Sequence, residues 1–369
     1  MKLSIGKEHI LQGLQAVQNV VGTRTTLPIL SNVLLKADDN RLELTATDLD
    51  VTISCSVEAR VQRPGGTTIP VKKFFGICRE LGQLEIDLET DEHNLSTLSA
   101  GNSYYRINGL AAQDFPPIPE FADKKHVSLP QEKLRGMLKK TSFAISTDES
   151  RYVLNGIFHS FKEHRVTLVS TDGRRLALVE EEVEVEPESH GDFIVPTKAI
   201  NELSRLLQPS GDVSIRYTDN QVAYELKGDK HPAVRIVSKL VEGTYPNYRQ
   251  VIPTEFKERV PVIREELLQA LRRAEIMTSD KTNSVKLSFT RNNLAITANT
   301  PEVGEGRESL AINYAGADIA IAFNPVYLMD PLKALDSDEV YIEISDDLSP
   351  GVVKTNSPFL YVIMPMRMA

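Results

Sequence analysis

The stretch LSIGKEHILQGL (Leu3–Leu14) returns twice later in the chain. Its second copy is VSLPQEKLRGML from Val127, and its third is VPVIREELLQAL from Val260. In each copy an apolar residue of the first half is followed five residues on by a second and four further on by a third. This spacing predicts a strand that leads into one face of an amphipathic helix. We therefore interpret the chain as three tandem repeats of one unit.

Two further blocks recur in the same order. RLELTATD from Arg41, RVTLVSTD from Arg165 and NLAITANT from Asn293 alternate apolar and polar residues, which predicts half-buried strands. The blocks TIPVKKFFGICREL, IVPTKAINELSRLL and IAFNPVYLMDPLKAL each predict a strand and then a helix. Their prolines, Pro70, Pro196 and Pro325, suit the first position of a helix, where a missing N–H costs nothing.

The spacing of the blocks sets the size of the unit. Leu3 and Val127 lie 124 residues apart, as do Arg41 and Arg165, so each unit has the length of an ordinary domain. Each unit holds two strand–helix pairs, so each unit is itself a candidate for two copies of a half-unit. The proline-containing stretches DFPPIPEFADKK and YPNYRQVIPTEFKER suit linkers. We predict an α+β fold with domains at 1–122, 123–253 and 254–369.

The composition of the 369 residues is that of a globular protein, with 41% hydrophobic and 25% charged residues. Cys55 and Cys78 are too few for a disulfide framework, which favours a reducing cytoplasm. Lys7, Glu8 and His9 interrupt the apolar residues near the start, so we expect no signal peptide. No apolar stretch approaches the roughly 18 residues of a membrane span, and we expect no membrane contact.

The net charge of −9 is unevenly distributed. Short windows over the six predicted helices carry +7 together, which leaves −16 for the strands and loops. One interpretation is ordinary solvated helices. The other places all the helices on one surface that faces a polyanion, with the acidic strands turned away. The counts alone leave both open.

The sequence offers no catalytic or metal-binding pattern. The seven histidines are scattered, and HExxH, GxSxG, Walker and GxGxxG motifs are missing. Adjacent carboxylates such as Asp346 and Asp347 would point to opposite faces of a strand and make a poor catalytic dyad. We expect a protein without a catalytic site, a metal or a cofactor.

Two strings stand out from the repeat pattern. STDGRRLAL (Ser170–Leu178) predicts a turn at Asp172–Gly173, and we interpret its Gly–Arg–Arg as an insertion peculiar to the middle copy. The C-terminal string FLYVIMPMRMA (Phe359–Ala369) predicts an apolar strand that ends in methionines. This strand is either a last core strand or an adaptable surface of the kind that methionine forms at peptide-binding sites.

Five strings carry a resemblance to a known family: RTTLPIL from Arg24, RYVLNG from Arg151, STDGRRLAL, YPNYRQVIP from Tyr245 and YVIMPMR from Tyr361. Across essentially the whole chain, the sequence resembles the β subunit of bacterial DNA polymerase III, the sliding clamp. The resemblance implies a head-to-tail homodimeric ring whose helices line a hole for duplex DNA and whose antiparallel sheets lie outside. Such a ring is a non-catalytic processivity factor of DNA replication.

The same resemblance implies partners and site residues. The partners would be double-stranded DNA, a second copy of the chain, the clamp loader complex, the DNA polymerase III alpha subunit and other proteins with clamp-binding peptides. The implied peptide pocket comprises Arg151, Leu154, Thr171, Gly173, Arg174, Arg175, Leu176, Pro246, Val251, Asn324, Tyr327, Leu348, Val362, Met364, Pro365, Met366 and Arg367. The implied dimer interface comprises Lys73, Tyr105, Ile107, Ile276, Met277 and Glu302. The implied DNA contacts are Arg24, Lys72, Arg79 and Lys198.

Three positions depart from the family pattern. Asp148 stands where some members carry a DNA-touching glutamine, Gln250 replaces an often basic pocket residue, and Met368–Ala369 extend past Arg367. Two other functions remain in view. A three-domain scaffold would bind partner peptides without encircling DNA, and a sugar or phosphate hydrolase would use scattered carboxylates. The basic helices disfavour the scaffold, and the missing motifs disfavour the enzyme.

Overall fold

The computed structural model describes residues 1–22, 27–121, 125–228, 232–279 and 283–367. The predicted DNA contact Arg24 and the extension Met368–Ala369 lie outside these residues. The α-helices of the described part are α1 (Lys7–Val17), α2 (Val71–Glu80), α3 (Gln131–Thr141), α4 (Thr197–Leu206), α5 (Arg264–Glu275) and α6 (Pro325–Ala334).

The strands follow the same order in each third of the chain. In the first third they are β1 (Lys2–Gly6), β2 (Asn32–Asp38), β3 (Arg41–Thr47), β4 (Val51–Glu58), β5 (Arg60–Arg63), β6 (Gly65–Pro70), β7 (Glu85–Thr90), β8 (Leu95–Ala100) and β9 (Ser103–Asn108). The middle third has β10 (His126–Pro130), β11 (Gly156–Lys162), β12 (Arg165–Thr171), β13 (Arg175–Glu182), β14 (Gly191–Pro196), β15 (Asp212–Tyr217), β16 (Gln221–Lys227) and β17 (Val234–Lys239). The last third has β18 (Glu258–Ile263), β19 (Val285–Thr290), β20 (Asn293–Thr300), β21 (Gly304–Ala311), β22 (Ile319–Phe323), β23 (Glu339–Ile344), β24 (Gly351–Lys354) and β25 (Phe359–Ile363).

The three recurring blocks form the predicted elements. The first block is a strand and helix in every copy, as β1–α1, β10–α3 and β18–α5. The second block forms β3, β12 and β20, and the third forms β6–α2, β14–α4 and β22–α6. Apolar stripes of the helices supply the core, as Ile10 and Leu14 do on α1 and Leu267 and Leu271 do on α5.

The prediction that all three prolines begin helices is wrong for two of them. Pro70 ends β6 and caps α2, and Pro196 ends β14 immediately before α4. Pro325 alone is the first residue of its helix, where the side chain of Asn324 accepts hydrogen bonds from the next two N–H groups. An edge strand tolerates a proline as well as a helix start does, and β6 and β14 are both edge strands.

The chain divides into two compact units, each built on two antiparallel sheets. The first unit is Met1–Arg135, Glu184–His190 and Lys198–Val241. Its sheets have the strand orders β5-β1-β7-β8-β9 and β10-β15-β16-β17-β4-β3-β2-β6. The second unit is Gly136–Val183, Gly191–Thr197 and Glu242–Ala369. Its sheets have the orders β14-β11-β12-β13-β25-β24-β23-β18 and β21-β20-β19-β22.

Both eight-stranded sheets arise where a strand of one repeat pairs with a strand of the next. In the first unit β4 pairs with β17, with Ile53 opposite Ile236. In the second unit β13 pairs with β25, with Ala177 opposite Tyr361. The same kind of backbone pairing thus joins successive repeats twice.

Two strands that correspond to these joining strands have no such partner in the described part of the chain. β9 ends the five-stranded sheet and β21 ends the four-stranded sheet. Exposed aromatic side chains, Tyr104 and Tyr105, lie on β9. An exposed edge with large apolar side chains is a template for pairing with another strand. Among the described helices, none has the length and apolar character needed to span a bilayer.

Candidate functional site

The turn between β12 and β13 is fixed by its own side chains. The Asp172 carboxylate accepts hydrogen bonds from the backbone N–H groups of Arg174 (2.9 Å) and Arg175 (3.1 Å). The Thr171 hydroxyl accepts from the Gly173 N–H at 3.1 Å and donates to the Arg175 carbonyl at 2.6 Å. Gly173 has a φ of +85°, which a glycine adopts without strain. The sequence therefore predicts this turn correctly.

The interpretation of Gly–Arg–Arg as an insertion is wrong. The first repeat makes the same turn between β3 and β4, where Asp48 accepts from the N–H groups of Asp50 and Val51. Leu49, with a φ of +79°, takes the place of Gly173. The two turns have equal length, so the middle copy differs by substitution on a shared backbone. Comparison of the two sequence strings did not reveal that the turns are equivalent, because leucine is rare in the left-handed conformation that Leu49 adopts.

Arg175 is a partly buried hub and not an open cation, because its side chain is only 10% exposed. It forms ion pairs with Asp172 at 3.0 Å and Asp330 at 2.6 Å, and it donates to the Phe143 carbonyl at 2.5 Å. Its guanidinium also lies 4.3 Å from the centre of the Tyr327 ring. These contacts tie the turn to α6, so Arg175 holds the shape of the predicted pocket.

The last strand completes this surface. Leu176 lies opposite Val362 in the pairing of β13 with β25, and the Met364 N–H donates to the Arg174 carbonyl at 2.9 Å. The Met366 N–H donates to the Ala322 carbonyl at 2.7 Å, so the tail continues along the edge of β22. The structure shows the last core strand, and the alternative of a methionine-rich binding surface stays a prediction for the residues beyond it. β25 is buried core, whereas Met364 and Met366 expose their side chains.

A short loop places Arg151 beside the turn. The Arg151 Nε donates to the Asp148 carboxylate at 3.0 Å. Its Nη1 lies 2.6 Å from the point where a Cβ on Gly173 would stand, so any larger residue there would displace the guanidinium. The backbone N–H of Ser150 donates to the same carboxylate at 3.0 Å, and hydrogen bonds from Ser150 and Arg151 hold the pKa of Asp148 below its usual range.

Aromatic residues support the segment that carries Pro246 and Val251. The Tyr245 ring stacks on Phe158 with 5.1 Å between centres, and the Tyr248 ring packs against Phe158 at 5.9 Å. Burial raises the pKa of the Tyr245 hydroxyl. The connecting segment is thereby fixed to the sheet, while Pro246 and Val251 remain exposed.

All seventeen predicted pocket residues belong to the second compact unit. The contacts above link one group directly: Arg151, Thr171, Gly173, Arg174, Arg175, Leu176, Tyr327, Val362 and Met364. Leu154 is buried in the loop that carries Arg151, Asn324 caps α6, and Pro365 and Arg367 flank Met366. Leu348 lies in the β23–β24 connection and is 75% exposed.

At the corresponding junction of the first unit, lysines and aspartates form ion pairs. Lys198 on α4 forms an ion pair with Asp48 and donates to the Val20 carbonyl at 2.9 Å. Lys239 pairs with Asp50 at 2.9 Å. Carboxylates and lysines thus fill positions that correspond to the arginine turn and the Met364 strand.

The predicted DNA contacts occupy different environments. Lys72 and Arg79 are exposed on α2, and Arg79 pairs with its neighbour Glu80 at 2.9 Å. Lys198 is engaged as described, although its side chain stays partly exposed. Other helix cations are also paired across elements, as in Arg273 of α5 with Glu308 at 2.6 Å. A count of charges in the sequence gives all of these cations equal weight, whereas in the structure they differ in exposure and in their ion-pair partners.

The predicted interface residues are divided between the two units. On the first unit Lys73 is exposed on α2, while Tyr105 and Ile107 belong to β9. On the second unit Ile276 and Met277 follow α5, and Glu302 precedes β21. Met277 packs on the edge strand, because its Cγ lies 2.7 Å from the Cβ position of Gly306.

Sequence reasoning missed several residues in these places. Tyr104 and Val303 expose large apolar side chains beside the predicted interface residues. Arg106 of β9 and Glu305 of β21 carry opposite charges on the two edges. These residues are identified by the exposure of side chains on both faces of β9 and β21. That exposure depends on the position of each strand in its sheet, which the sequence alone does not give. Asp330 was missed because its partner Arg175 is 155 residues away.

The fold defines a class of protein, namely a tandem-repeat α+β protein in which β9 and β21 end their sheets and the Asp172–Gly173 turn lies beside the last strand. The comparisons with known proteins agree over the whole chain. Three family profiles match in order: the N-terminal domain of the DNA polymerase III beta subunit over residues 1–119, the central domain over 128–247 and the C-terminal domain over 249–367.

Individual relatives are similar along their full length. A beta sliding clamp of Chlamydia muridarum is 36% identical over 368 residues, covering 100% of this chain and 99% of that protein. The crystal structure of the DNA polymerase III subunit beta from Pseudomonas aeruginosa is 34% identical with a TM-score of 0.94, and the match covers 100% of both chains. A second structure of a Pseudomonas aeruginosa sliding clamp, with the same identity, TM-score and coverage, is bound to griselimycin.

The chain belongs to the DNA polymerase III beta subunit family, the bacterial beta sliding clamps. It is a non-catalytic processivity factor of DNA replication that tethers the polymerase. The three tandem repeats found in the sequence are three clamp domains.

Proposed function

We propose that two copies of the chain close head to tail into a ring around duplex DNA, with domains at 1–122, 123–253 and 254–369. One observation carries the proposal. The junctions between repeats pair β4 with β17 and β13 with β25, while the corresponding strands β21 and β9 stay open at the ends of their sheets. A third pairing of the same kind, between β21 of one copy and β9 of the other, would provide hydrogen-bond partners for the backbone groups of both edges. A heterologous contact that closes in this way makes a ring.

The internal junctions also supply the register of that pairing. Leu176 follows the middle turn and lies opposite Val362, and Thr52 after the first turn lies opposite Val237. The equivalent position after the third turn is Glu305, and the equivalent position on β9 is Arg106. The same register would therefore place Glu305 opposite Arg106 of the partner subunit. Opposite charges directly across a pair of strands stabilise it modestly.

The same register sets Gly306 opposite Tyr105 of the partner subunit. Because Gly306 has no side chain, Met277 occupies the space above it. An incoming Tyr105 would therefore meet Met277, and Ile107 would face Ile276 beside it. Lys73 and Glu302, both exposed, would pair at the rim. An apolar centre with charges around it is the usual anatomy of a stable interface.

The ring would slide because its DNA contacts are electrostatic. Lys72 and Arg79 on α2 remain exposed, and Lys198 and Arg24 are proposed to join them at the phosphates. Contacts to phosphates carry no sequence information, so they permit movement along the duplex. The acidic remainder of the chain would discourage DNA from binding elsewhere.

The groove would dock the partners. Its exposed Leu348, Met364, Met366 and Val251 suit apolar side chains of an extended peptide. The proposed owners of such peptides are the DNA polymerase III alpha subunit, the clamp loader complex and other replication and repair proteins. The free, buried thiols of Cys55 and Cys78 are consistent with a place in the cytoplasm.

The test of the ring is topological. The clamp, loaded on a nicked circular plasmid, should remain through a 1 M salt wash and leave once the plasmid is cut. A scaffold that binds DNA only by charge would wash off both forms, because screening at 1 M reduces the Debye length to about 3 Å. Equal retention on circular and linear plasmid would overturn the ring.

The test of the groove uses Met366→Ala together with removal of Met368 and Ala369. Peptide affinity should fall while the dimer mass stays unchanged, because Met366 pairs with Ala322 of β22, at the end of the sheet opposite to β21. Loss of the dimer instead would show that this strand serves the interface.

A further inference from the structure

The loop that carries Arg151 is held by its own hydrogen bonds. The Ser146 N–H donates to the Leu154 carbonyl at 3.1 Å, and the Arg151 N–H donates to the Asp148 carbonyl at 3.1 Å. The Asp148 N–H in turn donates to the Ser146 hydroxyl at 3.2 Å. The backbone of Asp148 is therefore held in place by hydrogen bonds that do not involve its carboxylate.

The carboxylate of Asp148 divides its two oxygens between two tasks. One oxygen accepts from the Ser150 N–H at 3.0 Å and the Ser150 hydroxyl at 2.6 Å, which caps the short helix that follows. The other accepts from the Arg151 Nε at 3.0 Å. A guanidinium has five N–H donors, so this bond fixes its direction and leaves donors free for a ligand.

The position of the guanidinium matters because of what lies beneath it. Arg151 Nη1 occupies the space over Gly173, in the turn that belongs to the proposed docking groove. Of the other arginines there, Arg175 is committed to Asp172 and Asp330, while Arg174 is exposed. The orientation of Arg151 thus sets the hydrogen-bonding character of the groove at this turn.

We propose that Asp148 is a positioning residue of the docking groove. By accepting the Nε hydrogen bond it holds Arg151 across Gly173 with its Nη groups presented to carbonyl or amide oxygens of a bound peptide. The inference rests on the proposed docking function and assigns Asp148 to peptide affinity. The pair also neutralises Arg151, so the groove favours peptides by shape and apolar contact over acidic charge.

The size of the effect follows from the exposure of the pair. Asp148 and Arg151 side chains are 45% and 47% exposed, and partly exposed ion pairs contribute modestly. Asp148→Ala should therefore weaken binding of a neutral, Gln- and Leu-containing peptide by about two- to fivefold. Arg151→Ala should weaken it at least as much. The double variant should bind like Arg151→Ala, because Asp148 acts only through Arg151.

The experiment measures peptide affinity by fluorescence anisotropy on the intact dimer. Glu149→Gln is the matched control, since it removes one negative charge at the next residue and should leave affinity unchanged. Asp148→Asn keeps a hydrogen-bond acceptor and should recover part of the loss. The loss in Asp148→Ala should shrink at 1 M salt, whereas a merely unfolded loop would show the same loss at every salt concentration.

The outcomes separate this inference from the proposed function. An additive double variant, or equal losses in Glu149→Gln and Asp148→Ala, would overturn the positioning role. Unchanged peptide affinity with altered retention on plasmid DNA would also overturn it and assign Asp148 to DNA. A wild-type chain that binds no peptide would instead contradict the docking function itself.

Discussion

Replacement of Ile276 by alanine should weaken the proposed ring far more than it changes either unit. Ile276 is 74% exposed in the isolated chain, and the proposed pairing of β9 with β21 would bury it. Alanine lacks three carbons of isoleucine, worth about 2.4 kcal/mol when fully buried at about 0.8 kcal/mol per methylene. Scaling by the exposed share gives about 1.8 kcal/mol for one contact.

A head-to-tail dimer contains this contact twice. The two contacts together lose about 3.5 kcal/mol, which raises the dimer Kd by roughly 400-fold. The assay is sedimentation of a fluorescently labelled chain through a dilution series, with the midpoint of dissociation as the readout. Folding of each unit should be unaffected, since a solvent-exposed substitution usually changes stability by less than about 0.5 kcal/mol.

Ile263→Ala is the matched control. Ile263 is 52% exposed and immediately precedes α5, whereas Ile276 immediately follows it. The twelve residues of α5 separate the two side chains by about 18 Å, so the control should leave dissociation unchanged. A shift below fivefold for Ile276→Ala, or an equal shift for Ile263→Ala, would refute the reasoning.

Two further predictions concern buried groups. Burial lowers the pKa of His159 from 6.5 to about 4, so between these pH values the unfolded state binds a proton that the folded state does not, and about 3 kcal/mol of stability is lost as the pH falls from 6.5 to 4. In urea unfolding, His159→Leu should flatten this slope, and an unchanged slope would contradict the assignment. Arg175→Met should destabilise the second unit by about 3 kcal/mol, because it removes the partly buried ion pairs with Asp172 and Asp330 and leaves Asp330 only the longer 3.7 Å pair with Lys333. Adding Asp330→Leu should recover part of that loss, and a single-variant cost below about 1 kcal/mol would show that the hub is dispensable.

The repeat was enough to predict most local structure. Strand–helix pairs such as β1–α1 and β18–α5 form where the apolar period changes, because side-chain burial in both elements depends on local spacing. The prolines show the limit of that reasoning. Pro70 suits a helix start and a strand edge equally well, and only the position of β6 at the edge of its sheet decides between them.

The site was less predictable because it depends on contacts between distant residues. The turn at Asp172 follows from its own sequence, but the burial of Arg175 depends on Asp330 of α6. Lys198 carries the same formal charge as Lys72, yet Asp48 engages the first and not the second. Composition counts charges, whereas their availability to DNA or peptide depends on which partners the fold supplies.

The proposed ring is tested most directly by closing it covalently. Residues opposite one another on antiparallel strands have Cα atoms about 4.5–5.5 Å apart, which lies within the disulfide range. A chain carrying both Arg106→Cys and Glu305→Cys should therefore form two disulfides per dimer, while the native Cys55 and Cys78 remain buried. Oxidised on a nicked circular plasmid, it should stay linked to the DNA in SDS until the plasmid is cut or a reductant is added. Release by SDS from the intact circle, despite complete oxidation, would contradict the ring.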